Sequence, residues 1–377
     1  MPPGLSAGLR WPVPRERRNG EDAMRRLDSL PGRGTHHNPE NRYEHFHVDR
    51  QEPAADGGAP AALPTHFFRD ASRSALAEND SPDLGFRFSL NPYRGCEHGC
   101  IYCYARPTHE YLGFSAGLEF ETRIMVKHDA PELLRRALGA RRWDPQVVAL
   151  SGNTDCYQPV ERQLCLTRRC LEVFVAFRNP VSVVTKNALV TRDRDLLAEL
   201  ATHGAAHVCV SITTLDPELA RRMEPRAAPP ARRLEAIAAL AAAGIPVAVL
   251  VAPVIPGLND EEIPRILEAA AAAGAHSASW VMLRLPHPVE ELFSAWLEQH
   301  YPARHARVLG RLRACRGGRL TDSRFGTRGR GEGVYAEHVA ALFRAAARRS
   351  GLEQPLPPLS TAAFRCPPRQ GDQLRLY

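Results

Sequence analysis

The sequence predicts an α/β fold built on a parallel sheet, and three observations carry the prediction. From residue 85 to about 300, short apolar runs alternate with longer segments of helical period. There are six such runs, and a helical segment follows each. Right-handed βαβ connections then bring successive strands together in parallel, with the helices packed on the sheet. Helix punctuation falls where this scheme needs it. Asp216-Pro217 reads as an N-cap and a first-turn proline, and Gly244 and Gly274 read as the glycines that end helices.

The six strands are FRFSL (86–90), VVALSG (147–152), VSVVTK (181–186), HVCVSIT (207–213), PVAVLVAP (246–253) and HSASWVML (276–283). The first unit is interrupted around 104–140. Helical pattern follows the others at 159–177, 191–202, 216–223 with 231–243, 260–273 and 288–299. Six units are too few for the closed eight-fold barrel. On periodicity alone, an open partial barrel and a doubly wound sheet both remain. Residues 301–377 form an extension, helical at 303–314 and 334–349 and then proline-rich. Residues 1–84 are rich in Pro, Gly, Arg, Asn and His and lack periodicity, which predicts a flexible basic arm before the core of 85–300. Within that arm Met24 is an alternative start, and the four histidines of GRGTHHNPENRYEHFH read as solvated tail rather than a metal site.

Composition narrows the class. Hydrophobic residues make up 44% and charged residues 24%, the balance of a globular chain. No apolar run reaches the roughly 18 residues of a membrane-spanning helix. Nine cysteines, an odd number with three of them clustered, argue for reduced thiols in a cytoplasm rather than a disulfide framework. The net charge of +7 and a pI near 9.1 favour anionic partners, DNA or RNA among them. Of 49 basic residues, only Lys127 and Lys186 are lysine, which together with the Ala, Gly and Pro excess has the look of codon bias. The charge is therefore weak evidence by itself, and the two lysines stand out.

In parallel α/β folds, chemistry gathers at the carboxyl ends of the strands. Here those ends carry Cys96, Cys100 and Cys103, then Asn153, Thr154 and Asp155, then Lys186 and Asn187, then Ser211, Thr213 and Thr214, then Pro253 to Asn259, then Arg284. The three cysteines lie in RGCEHGCIYCYAR. A structural zinc would need a fourth ligand, for which His98 and Cys156 are the candidates. A four-iron cluster held by three thiolates would instead leave one iron open, as a catalytic site does. Gly95 and Gly99 let the backbone wrap a bulky group.

The spacing Cys96-Glu-His-Gly-Cys100-Ile-Tyr102-Cys103 after a first strand resembles the radical SAM superfamily. The stretches NPYRGCEHGCIYCYARPTHEYLG, SGNTDCYQPVER, TKNALVTRDRDLL, SITTLDPELARRMEPRA and VAPVIPGLND are similar to its bacterial branch related to spore photoproduct lyase. The resemblance spans about residues 30 to 350 and implies a partial (βα)6 TIM-like barrel. It implies that Cys96, Cys100 and Cys103 hold a [4Fe-4S] cluster whose fourth iron chelates S-adenosylmethionine. One-electron reduction then yields a 5′-deoxyadenosyl radical that takes a hydrogen from the substrate. It further implies an electron donor of flavodoxin or ferredoxin type.

By motif match, Tyr102 is expected against the adenine. Asn153, Thr154 and Asp155 are expected at the methionyl ammonium, although the family's Gly-Gly-Glu is absent. Ser211 and Thr213 are expected at the ribose or carboxylate. Lys186 and Arg226 are the cations for the methionyl carboxylate or a substrate phosphate, and residues 254–258 form the adenine turn. Cys156 is the candidate hydrogen donor to a product radical, weighed against a buried thiol acting as a small hydrophobe. HEYLG lacks the second histidine of a zinc-protease helix. Three functions compete: a radical SAM enzyme acting on nucleic acid, one acting on a protein or small molecule, and a non-catalytic metal-stabilised nucleic-acid-binding module.

Overall fold

The computed structural model describes residues 32–43 and 63–367. Along the chain its elements are β1 (His66–Arg69), β2 (Leu76–Glu78), β3 (Phe88–Leu90), β4 (Tyr93–Arg94), α1 (Glu119–Thr122), β5 (Arg123–Val126), α2 (Ala130–Leu138), β6 (Val148–Leu150), α3 (Glu161–Leu164), α4 (Leu166–Phe177), β7 (Val181–Thr185), α5 (Arg194–Thr202), β8 (Ala206–Ser211), α6 (Pro217–Met223), α7 (Pro230–Ala242), β9 (Val247–Val254), α8 (Ile263–Ala272), β10 (Ser277–Met282), α9 (Val289–His300), α10 (Pro302–Ala314) and α11 (Val334–Arg349).

The six expected strands are β3, β6, β7, β8, β9 and β10. They lie side by side in chain order and all parallel, with β2 added antiparallel outside β3. A doubly wound sheet needs the strand order to reverse at a switch point. No reversal occurs, so the sheet is singly wound, as in an open (βα)6 barrel. Alternation along the strands sorts the two faces. Val181 and Val183 of β7, Val208 and Val210 of β8, and Val247, Val249 and Val251 of β9 join Leu171, Phe174, Leu197, Ile237 and Ile266 of the helices in one core. The intervening Ser182 and His207 lie on the opposite face, where Oγ and Nε2 are 2.6 Å apart across β7 and β8.

The helix punctuation is as expected. Asp216 caps α6, accepting from the amides of Glu218 and Leu219, and Gly244 and Gly274 have φ of +75° and +93°. The C-terminal extension is part of the core rather than an appendage. Val339, Phe343 and Ala346 of α11 enter the main cluster. The segment before α11 also ties the two sheet edges together. Met282 N donates to Gly329 O at 2.9 Å on the β10 side. Arg328 Nε and Gly326 N donate to Asp83, in the turn between β2 and β3, at 2.6 and 2.8 Å.

The flexible arm of 1–84 needs correction in part. Residues 63–84 contain β1 and β2, and β1 pairs with β5 in a second sheet ordered β1-β5-β4. Residues 33–42 are strapped onto the interrupted segment that follows the cysteines. Leu118 N donates to His37 O at 2.9 Å, and Glu119 N to Asn38 Oδ1 at 3.0 Å. Asn41 Nδ2 donates to the carbonyls of Glu110 and Phe114. Polar side chains and backbone groups make this attachment, so it leaves no hydrophobic period to read. Met24, His45 and His47 lie outside the described residues.

His109 lies in the segment the strap holds. It sits in the 3₁₀ turn Arg106–Leu112, fully buried, with its ring 5.2 Å from Phe114 and 5.5 Å from Phe120. Burial lowers its pKa from 6.5 to about 4. The folded state keeps the ring neutral, whereas the unfolded chain takes a proton below pH 6.5. The stability it contributes is therefore present above pH 6.5 and is lost as pH falls toward about 4. His109→Phe should flatten this part of the stability curve, read by urea unfolding at pH 7 and pH 5. An unchanged difference between those two values would place the titration elsewhere.

Candidate active site

The chain leaves β3, makes the short β4 and enters the cysteine loop through two glycines in left-handed conformation. These are Gly95 at φ +79° and Gly99 at φ +68°. A Cβ on Gly95 would lie 3.0 Å from the carbonyls of Phe120 and Arg123, so both conformation and space require glycine there. Cys96 N donates to Phe120 O at 2.9 Å. The carbonyl of Cys100 accepts from Arg106 Nε at 3.0 Å and Nη2 at 2.9 Å. Arg106 is itself paired with Glu121 at 2.5 Å, both side chains fully buried. The loop is thus clamped from behind through its backbone.

The thiols of Cys96 and Cys100 are buried, that of Cys103 is half-buried, and none is in a disulfide. Burial raises all three above the ordinary thiol value. Holding them as thiolates therefore requires a cationic group, and metal coordination deprotonates a thiol outright. Among the described residues, no three His, Cys, Asp or Glu side chains converge on one point as a single metal ion would need. A cubane makes no such demand, because each thiolate binds its own iron, and three cysteines on one loop are the donor type such a cluster takes. His98 is not a fourth ligand. Its Nε2 is 3.1 Å from Asn187 Nδ2, and its Nδ1 is 3.4 Å from Asp155.

The expected S-adenosylmethionine residues divide into free and committed groups. Lys186 is free: its Nζ stands 5.9 Å from the centre of the Tyr102 ring, and it forms no ion pair with a described residue. Asn153 is exposed, and its backbone N–H donates to Asn91 Oδ1 at 3.1 Å. Thr154 is buried and donates to Tyr93 O at 2.7 Å. The Tyr102 hydroxyl binds Glu224, and Thr213 Oγ1 lies 3.3 Å away. Thr213 in turn donates to Glu224 at 2.6 Å. Ser211 is buried at the end of β8, its carbonyl held by Arg233 at 3.0 Å. The 254–258 turn is pinned by Ile255 N to Asn259 Oδ1 at 2.6 Å and Gly257 N to Asp260 Oδ1 at 2.8 Å.

Three of the expected residues make other contacts in the structure. Asp155 accepts from Thr185 Oγ1 at 2.8 Å, Tyr157 N at 2.9 Å and Lys186 N at 2.7 Å, and also faces His98. A carboxylate has about four acceptor sites. Three are taken by donors that join the loops after β6 and β7, and through Lys186 N they help position Lys186. Arg226 is spent on Glu97 at 3.1 Å and Thr65 at 3.3 Å. Cys156 has no exposed surface and packs in the helix-side core as a small hydrophobe.

Sequence reading missed Glu224 and Arg233, a fully buried pair beneath Tyr102. A lone acid in RRMEPRA was the available signal for Glu224. It also missed Tyr104, which follows the third cysteine. The Tyr104 hydroxyl donates to Gly152 O, and the Arg284 guanidinium lies 5.2 Å from its ring centre. The Arg-rich stretch RLRACRGGR is only partly available to phosphates, because Arg316 is buried against the carbonyls of Met282 and Leu283.

A singly wound parallel sheet with a three-thiol loop at its carboxyl edge, ringed by polar strand ends, defines a cofactor-dependent α/β enzyme. Residues 90–270 match the family model described as the Radical SAM superfamily. The chain belongs to that superfamily, whose members use a [4Fe-4S] cluster and S-adenosylmethionine. It is 38% identical over 283 residues to an uncharacterized protein of Mycobacterium bovis, covering 74% of this chain and 80% of that one. An uncharacterized protein of Methanocaldococcus jannaschii is 27% identical over 218 residues, 58% of this chain and 78% of that one. Among solved structures, spore photoproduct lyase complexed with dinucleoside spore photoproduct has the same fold. The match has a TM-score of 0.54 at 17% identity and covers 75% of this chain and 79% of that one.

Proposed function

We propose that Cys96, Cys100 and Cys103 hold the [4Fe-4S] cluster, that S-adenosylmethionine binds beside them, and that the enzyme acts on nucleic acid as a lesion-processing lyase. The observation that carries this reading is the set of three free thiols, two buried and one half-buried, on a glycine-bent loop, with Lys186, which has no ion-pair partner among the described residues, over the Tyr102 ring of that loop. When bound, the two cofactors supply a 5′-deoxyadenosyl radical that removes a hydrogen from the substrate. The chain's own residues bind and orient. Lys186 offers an ammonium to the methionyl carboxylate. Asn153 offers an uncommitted side-chain oxygen to the methionyl ammonium. Tyr102, tied at its hydroxyl by Glu224 and Thr213, presents a fixed ring. Tyr104 and Arg284 form an aromatic–cation pair suited to a base and its phosphate.

The net charge of +7 and the fold shared with a lyase solved with a dinucleoside lesion support nucleic acid as substrate. Radical SAM enzymes need an electron donor, and a flavodoxin or ferredoxin serves here. Nine thiols without a disulfide suit a cytoplasmic site of action. Among the described residues, no helix is long and apolar enough to cross a membrane.

The test is anaerobic reconstitution, reduction and EPR with and without S-adenosylmethionine. A four-iron signal altered by the cofactor, with 5′-deoxyadenosine released, is the expected result. Bound zinc, or a cluster indifferent to the cofactor, would overturn it. Salt-dependent retention of oligonucleotides tests the substrate class, and its absence would favour a protein or small-molecule substrate. Lys186→Met should keep the cluster signal while weakening S-adenosylmethionine binding by roughly tenfold to a hundredfold, the worth of one charge-assisted contact.

A further inference from the structure

Away from the cysteine loop, β2, β3 and α2 enclose a cleft of about 720 Å³, within the size range of ligand pockets. Its lining shares no residue with the cysteine site. Two arginines come from the strand side, Arg73 before β2 and Arg87 before β3. Two come from the helix side, Arg136 on α2 and Arg142 just beyond it. The one carboxylate in the lining, Glu78, is already paired with Arg87 at 2.5 Å. The guanidiniums of Arg73, Arg136 and Arg142 form no hydrogen bond or ion pair with another described residue. A basic last turn complements the dipole of α2, which accounts for Arg136. It does not account for Arg73 and Arg87 meeting it from the opposite wall.

The floor is apolar and rigid. Phe88 and Trp143 pack with ring centres 5.3 Å apart, and Trp143 Nε1 donates to Asn179 Oδ1 at 3.1 Å, which locks the indole. Arg73, Arg136 and Arg142, with no acidic partner among the described residues, leave the cleft net positive. Their planar forks match phosphate oxygens, and the aromatic floor matches a ring.

We propose that this cleft binds a phosphorylated nucleoside, with the phosphates among Arg73, Arg136 and Arg142 and the base against Trp143. The ligand is either a free nucleotide or one residue of a strand, and two probes separate these sources. Binding of ADP and of a short single-stranded oligonucleotide would be measured by calorimetry on the reconstituted enzyme. Saturating S-adenosylmethionine would keep adenine probes out of the cofactor site. Inorganic pyrophosphate is the third probe.

The double charge reversal Arg136→Glu with Arg142→Glu should weaken binding about tenfold or more and leave S-adenosylmethionine cleavage unchanged. Arg73→Gln, from the other wall, should weaken it in the same direction and serves if the double variant folds poorly. Tighter ADP binding identifies a free nucleotide, and tighter oligonucleotide binding identifies a strand. Absence of binding by both, or binding indifferent to all three arginines, overturns the proposal. Pyrophosphate binding as tightly as either probe overturns the role of the base.

Discussion

Glu224→Ala should destabilise the protein by about 3–5 kcal/mol, the cost of removing one partner from a buried ion pair. Arg233 would be left fully buried. Its remaining contacts are to the carbonyls of Ala228 at 2.6 Å and Ser211 at 3.0 Å, which accept its protons but do not neutralise its charge. Tyr102 and Thr213 would lose their common acceptor at the same time. Burial pushes the Glu224 carboxyl up, but Arg233, Lys186 and the two hydroxyl donors overcome it and hold the group at about 2. A carboxyl depressed in this way adds stability that is present above its unfolded value near 4.5 and is lost as pH falls toward about 2. Urea unfolding at pH 7 and pH 3 reads both effects. The variant should lose most at pH 7, and Glu224→Gln should lose less. A variant as stable as the parent at pH 7 would mean that the pair contributes nothing to the folded state.

Gly34→Ala is the second large effect, and it tests the strap. A Cβ at Gly34 would lie 1.6 Å from the carbonyl oxygen of Gly99 and 2.7 Å from its carbon. Both are backbone atoms of the cysteine loop and cannot swing aside. Gly34 N also donates to Glu121 Oε2 at 2.9 Å, the carboxylate that holds Arg106 and through it Cys100. The strap must detach or the loop must move, at a cost of about 1–3 kcal/mol for overpacking. The expected result is lower iron retention after reconstitution, together with faster tryptic cleavage in the N-terminal region. Gly310→Ala is the control. It lies in α10 with open space around it, and it should be neutral or stabilising by up to about 1 kcal/mol. Equal iron retention in the two variants would show that the strap does not organise the loop.

These two sites were poorly legible in the sequence, for different reasons. Gly34 precedes Gly99 by 65 positions in a stretch without hydrophobic period, so nothing local announces that the two backbones touch. Glu224 looked like one acid in a basic helix end. Its importance comes from lying under Tyr102, a meeting of the cysteine loop with the segment after α6. Asp155 stands at a strand end as expected, but three of its acceptor sites are taken by Thr185, Lys186 and Tyr157, which local pattern does not announce.

By itself the sequence determined the six strands, the helices between them and the three-cysteine loop, because period, caps and spacing are properties of contiguous residues. It also placed the polar residues at the strand ends, since alternation of strand and helix puts one kind of loop at the carboxyl edge. Only the tertiary structure decided that the strands run in order without reversal, that α11 completes the core, that residues 33–42 strap the segment after the cysteines, and which polar groups are already paired. Those outcomes depend on contacts between segments far apart in the chain. Such contacts are set by burial and by competition for hydrogen bonds, which no local pattern records.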